Sequence, residues 1–156
     1  TVHAYTNDQV LLDVEHKDLR RARAAAQNII PTSTGAAESV VAVMPQLKNR
    51  IACASIRVPV AKVSLIDVTF TAKQQLTVKS INEACSKAAQ GSMKGIVGIS
   101  FEPLVSLDYS GNSFSVTIDG LLTQVIDKSG KLFGWYDNEW AYSERLKDFL
   151  VATTIK

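Results

Sequence analysis

From Val63 to Ala72 the chain sets Val63, Leu65, Asp67 and Thr69 alternately against Ser64, Ile66, Val68 and Phe70. A period of two places the two sets on opposite faces of an extended strand. The strand needs partners, and candidates lie on both sides of it: Val2–Tyr5, Ile51–Val58, Ile96–Ile99, Ser113–Val125 and Lys131–Trp135. Residues 59–62 form a short connection ahead of the alternating strand, and DKSG at 127–130 reads as a hairpin turn.

Three helices fall between or after these strands. Ala36, Val40, Val43 and Leu47 recur at helical spacing, with Thr34 as the expected N-cap. Thr77–Gln90 carries Val78, Ile81, Cys85 and Ala88 on one stripe and ends at Gly91. Trp140–Ala152 is the last, with Leu146, Phe149 and Leu150 apolar. Thr6–Asn28 is polar and irregular, with two helical turns expected around HKDLRRARAA. There is no regular strand–helix–strand alternation and no glycine-rich dinucleotide fingerprint. The expected fold class is α+β: a mostly antiparallel or mixed sheet with about three helices on one face.

A chain of 156 residues suits a single domain, and no internal linker is visible. The net charge of +2 is too balanced for a nucleic-acid surface. Cys53 and Cys85 provide neither a disulfide framework nor metal spacing, and both read as small core residues. No membrane-length apolar run and no signal peptide are visible, so the expectation is a soluble, cytoplasmic protein without nucleic-acid or membrane partners. The opening TVHAYT reads as entry in mid-strand, which suggests a piece of a longer protein or a processed terminus.

Several residues could carry chemistry. His3 is either a satisfied core histidine or a catalyst. Thr34 and Gly35 sit at a helix start, where free N–H groups either are capped or hold an anion. Arg57 ends an apolar strand and suits a surface ion pair or an anion. His16–Arg23 sets five cations against one aspartate, which fits a solvated face, a subunit contact or an anion site. WYDNEWAY, Trp135–Tyr142, joins a strand to a helix through aromatic and carboxamide groups.

In order along the chain, TVHAYTNDQ, LDVEHKDLRRARAAAQNIIPTSTGAA, RVPVAKVSLID, KGIVGISFEPLVSLDYSGNSFSVTID and WYDNEWAYSERLKD resemble glyceraldehyde-3-phosphate dehydrogenases of the bacterial type. The likeness runs from the first residues to about Asp148 and corresponds to the C-terminal, catalytic half of such an enzyme. In that family a cysteine thiolate attacks the aldehyde, the thiohemiacetal yields hydride to NAD, and phosphate releases the resulting thioester as an acyl phosphate. The nucleophile belongs to an SCTTN-like motif that this sequence does not contain. The resemblance does not promote Cys53 or Cys85 to that role.

The resemblance assigns the remaining roles residue by residue. His3 stands as the catalytic histidine that stabilises the thiolate and accepts a proton. Thr6, Asp8 and Arg57 match the site for the substrate's phosphate, Asp8 orienting Arg57 or a cofactor hydroxyl. Thr34 and Gly35, with Arg21 as the mobile cation, match the site for inorganic phosphate; Arg20 and Arg23 compete for that last role. An arginine fork suits either anion. Asn138 and Tyr142 match the contacts to nicotinamide. The irregular Thr6–Asn28 segment corresponds to a loop that packs between subunits of a tetramer. Val14-Glu15 departs from the Leu-Pro often found in NAD-specific members, and the Glu15 charge still opposes the extra phosphate of NADP.

The implied activity is NAD-dependent oxidation of glyceraldehyde 3-phosphate in glycolysis, by a full-length homotetramer using inorganic phosphate and no metal. Two other readings stand beside it. One is erythrose-4-phosphate dehydrogenase. The other is a non-catalytic assembly or anion-binding module, because the dinucleotide-binding domain is expected to lie outside this chain and the 156 residues alone are expected to be inactive.

Overall fold

The computed structural model describes residues 1–154, and the chain divides into two compact units, residues 1–61 and residues 62–156. The boundary falls within the short connection that precedes the alternating strand.

In the first unit, β1 (Val2–Ala4), β2 (Ile30–Thr32) and β3 (Ser55–Val58) form a small mixed sheet. The central strand, β3, is parallel to β1 and antiparallel to β2. β3 is shorter than the expected Ile51–Val58, because residues 51–54 lie outside the ladder. Cys53 is consequently exposed instead of packed in the core.

The helix α1 (Ala36–Val43) stops before the expected Leu47. Met44 precedes Pro45 and adopts an extended φ of −131°, since proline disfavours a helical residue ahead of it. A single 3-10 turn over Pro45–Leu47 follows. The expected helical turns around HKDLRRARAA reduce to one, closed by the Ala22 N–H on the Asp18 carbonyl at 3.1 Å, with a 3-10 turn following at Ala25–Gln27. Side chains take the neighbouring backbone donors. The Asp13 carboxylate accepts the Ala24 N–H at 2.8 Å, and Asp18 accepts the Arg20 N–H at 2.9 Å. Short acidic side chains compete with helix in this way.

The second unit contains β4 (Ser64–Thr71), α2 (Val78–Gln90), β5 (Val97–Ser100), β6 (Val116–Asp119), β7 (Gln124–Ile126), β8 (Ser129–Tyr136) and α3 (Asn138–Thr154). β8 is its axis. It runs antiparallel to the whole of β4, from Ser64↔Tyr136 to Thr71↔Ser129. β6 and β7 also pair with it antiparallel, and β5 adds to β6 in parallel. Strands, mixed pairing and separate helices together make the α+β class expected from the sequence.

The single strand expected over Ser113–Val125 is two strands. The Asp119 carboxylate accepts the N–H groups of Leu121 and Leu122, turning the chain between β6 and β7. The next turn is tighter than DKSG suggests: Ile126 pairs with Ser129, leaving a two-residue loop with Asp127 at φ 51°. Gly134 lets β6 approach β8, since a Cβ there would stand 2.5 Å from Val116 Cγ2.

α2 begins with a reciprocal cap. The Thr77 side chain accepts the Ser80 N–H, and the Ser80 hydroxyl accepts the Thr77 N–H. α3 begins two residues before the expected Trp140, and Leu146, Phe149 and Leu150 are exposed on it. Among the described residues no helix is long and apolar enough to cross a membrane, and no group of His, Cys, Asp or Glu side chains is placed to hold a metal ion.

Candidate functional site

The first unit gathers most of the candidate residues around its three-stranded sheet. His3 on β1 and Ile30 on β2 both pair with Arg57 of β3, so the three residues form one row across the sheet. The Arg57 guanidinium donates from Nη1 to the Ala4 carbonyl at 2.9 Å, while its Nε is buried with no hydrogen-bond acceptor. A buried guanidinium N–H without an acceptor is a costly arrangement that an anion relieves.

His3 is half-buried, and its Nε2 lies 2.7 Å from the Thr1 hydroxyl. Burial lowers the imidazole pKa below its ordinary value, and the Arg57 charge lowers it further. The ring is therefore neutral at neutral pH and able to take up a proton.

Thr6 and Asp8 share an exposed turn after β1. The Thr6 hydroxyl accepts the Asp8 N–H at 3.4 Å. The turn is anchored by Gln9, which is buried: its side-chain oxygen accepts the Thr6 N–H at 2.9 Å, and its own N–H donates to the Thr6 carbonyl. Among the described residues no ion pair joins Asp8 to Arg57, whose guanidinium turns to the Ala4 carbonyl. The expectation that Asp8 orients Arg57 is thus not met by a direct contact.

Arg21 separates cleanly from its neighbours. Its Nη2 donates to the Thr32 hydroxyl at 3.2 Å, and its buried Nε lies 3.5 Å from the Asp18 carboxylate, an ion pair without hydrogen-bond geometry. Arg23 pairs with Asp13 at 3.2 Å, and Arg20 is exposed. Thr32 ends β2 just ahead of Thr34 and Gly35, so Arg21 is tied to the segment that carries the helix start. The N-cap of α1 is Gly35 and not Thr34 as expected. The Gly35 carbonyl accepts the Ser39 N–H, and the Thr34 hydroxyl takes the Ala36 N–H at 3.2 Å.

Asn138 and Tyr142 belong to the second unit. They stand four residues apart near the start of α3, on one face, and both are exposed. The Ser64 hydroxyl donates to Asn138 Oδ1 at 3.4 Å. Cys85 lies on α2, where burial raises its thiol pKa and disfavours a thiolate. The apolar hollow lined by Ile66, Val68, Val116, Ile118 and Tyr136 holds none of the candidate residues and no charged group.

The family model for the glyceraldehyde 3-phosphate dehydrogenase C-terminal domain matches residues 1–138. The chain belongs to this family. It is 52% identical over 157 residues to glyceraldehyde-3-phosphate dehydrogenase 1 of Bacillus cereus, covering 100% of this chain and 47% of the relative. Glyceraldehyde-3-phosphate dehydrogenase 1 of Bacillus subtilis is 54% identical over 149 residues, and the enzyme of Geobacillus stearothermophilus 53% over 149; each match covers 95% of this chain and 44% of the relative. The chain spans about half the length of the curated relatives it matches.

Gln9, Thr32 and Ser64 support candidate residues in this family member and escaped sequence reasoning. Gln9 was legible as a polar residue three positions after Thr6. Nothing local marks Thr32 or Ser64, whose partners are distant in sequence.

Proposed function

We propose that this chain supplies the substrate- and phosphate-binding part of an NAD-dependent, phosphorylating glyceraldehyde-3-phosphate dehydrogenase of glycolysis, working as a cytoplasmic homotetramer. Its family and the names of its relatives support this reading. The observation that carries it is the His3–Arg57 row: a neutral imidazole beside a guanidinium whose buried Nε lacks an acceptor.

On this reading His3 receives the proton of the aldehyde-derived hydroxyl as hydride leaves, and the resulting imidazolium favours a neighbouring thiolate. Arg57, Thr6 and Asp8 belong to the substrate's phosphate site. Arg21, Thr34 and Gly35 receive the inorganic phosphate that releases the acyl group, Arg21 moving from Thr32 to the anion. NAD, when bound, supplies the hydride acceptor. Asn138 offers its amide to the nicotinamide carboxamide, and Tyr142 limits the ring's orientation.

Steady-state kinetics of the full-length gene product test the proposal. Glyceraldehyde 3-phosphate should be oxidised with phosphate dependence, and H3N should lower kcat by about a hundredfold or more, the range of a lost general base. Far faster turnover of erythrose 4-phosphate would shift the substrate assignment. The competing reading, a non-catalytic assembly or anion-binding module, concerns the 156 residues alone. It expects no turnover and no tight NAD binding from the purified chain.

A further inference from the structure

One residue, Asp137, joins β8 to α3, so its conformation sets the direction in which Asn138 leaves the sheet. Asp137 is buried, at 4% exposure, and both of its carboxylate oxygens are used. Oδ1 accepts the Trp140 N–H at 3.2 Å, and Oδ2 accepts the Gly111 N–H at 2.9 Å. Its carbonyl accepts the Ala141 N–H at 2.9 Å, the first bond of the helix. Asp137 is therefore the N-cap of α3 and also its tether to a separate segment.

That segment is itself pinned. Gly111 sits at φ 74°, in a turn that follows the 3-10 turn Ser106–Tyr109. Tyr109 stacks on Trp135, their ring centres 5.8 Å apart, and the Trp135 Nε1–H donates to Asp119. Trp135 stands two residues before Asp137. The corner is thus held along β8 by the aromatic stack and at its apex by the carboxylate.

A simple helix cap needs one oxygen, which serine supplies. Two N–H donors converge on Asp137, and only a carboxylate offers each of them an oxygen. An asparagine would present its own N–H₂ to one of those donors.

We infer that Asp137 is a positioning residue for the nicotinamide end of the cofactor: it holds the β8–α3 corner so that Asn138, the first residue of the helix, presents its amide in one place. The inference rests on the reading of Asn138 as the nicotinamide contact. Ser64 complements it by hydrogen bonding Asn138 Oδ1, which leaves the amide N–H₂ for the ligand.

The test uses the full-length protein and two ligands, NAD and ADP-ribose, the second lacking the nicotinamide ring. D137N should weaken NAD about fivefold, as expected for one charge-assisted hydrogen bond, and leave ADP-ribose unchanged. D137S retains an oxygen for Trp140 but loses the Gly111 tether, and should show a smaller selective loss; it carries the same readout should D137N not fold. Equal weakening of both ligands, or of neither, overturns the inference. N138A separates this failure from that of the underlying reading. If N138A leaves the NAD to ADP-ribose ratio unchanged, the role of Asn138 falls and the inference with it. If N138A lowers the ratio while the Asp137 variants do not, the inference alone falls.

Discussion

His3 and Arg57 stand opposite each other across the parallel pair of β1 and β3, and the guanidinium charge helps hold the imidazole neutral. Two residues more than fifty positions apart in the chain thereby form one electrostatic unit. Arg57 favours the form of His3 that can accept a proton. The imidazolium formed on accepting it meets an adjacent positive charge, and an anion bound at Arg57 would soften that penalty.

The stability consequence of His3 follows from the direction of its shift. Its folded pKa lies below the ordinary 6.5, so between the two values the unfolded chain binds the extra proton. Stability should rise with pH through that window and level off above about 6.5. H3Q should flatten this part of the profile. Urea unfolding from pH 5 to pH 8 checks it, and an unchanged slope in H3Q would assign the effect elsewhere.

Arg57→Gln should raise the His3 pKa only partway to its ordinary value, because burial is the larger cause and remains. The pH dependence of diethyl pyrocarbonate modification at His3 reports the shift. Substrate KM in the full-length enzyme should rise by about tenfold or more, as expected when a charged hydrogen bond to phosphate is lost. A downward movement of the His3 pKa would contradict the coupling.

Asp119 is buried and accepts three donors: the N–H groups of Leu121 and Leu122 and the Trp135 indole. Asp119→Ala removes the acceptor of the Leu121 N–H and the Trp135 indole, leaves the Leu122 N–H only the residue 119 carbonyl, and should cost roughly 2–4 kcal/mol. Chemical denaturation measures this. The near-ultraviolet dichroism of Trp135 should weaken as well, since its ring loses one of its fixed contacts.

Thr77→Ala removes half of the reciprocal cap of α2 without touching any candidate site residue. A loss of about 1 kcal/mol in unfolding free energy is expected, with ligand affinities unchanged. A change in NAD or phosphate affinity would show that α2 communicates with the site.

Tyr142, Leu146, Phe149 and Leu150 are exposed along α3, more apolar surface than an isolated helix face ordinarily leaves to water. The 156-residue chain alone should therefore self-associate or bind a hydrophobic dye. Paired Leu146→Gln and Phe149→Gln substitutions should reduce both effects. Light scattering showing only monomer at high concentration, with no dye binding, would remove this expectation.

Local chemistry made much of the chain legible from sequence. The alternation at residues 63–72 identified β4, the Thr77 and Gly91 boundaries delimited α2, and the motif strings identified the family. Each of these signals is complete within a few neighbouring residues. The errors arose where a distant or competing partner decided. Asp119 broke one expected strand by taking two backbone donors, Asp13 drew the Ala24 N–H away from a second helical turn, and Pro45 shortened α1. Only the tertiary structure set His3 against Arg57, tied Arg21 to Thr32, and brought the Gly111 N–H to Asp137. Register, burial and the orientation of a lone carboxylate depend on what the rest of the chain brings alongside, and no local pattern contains that information.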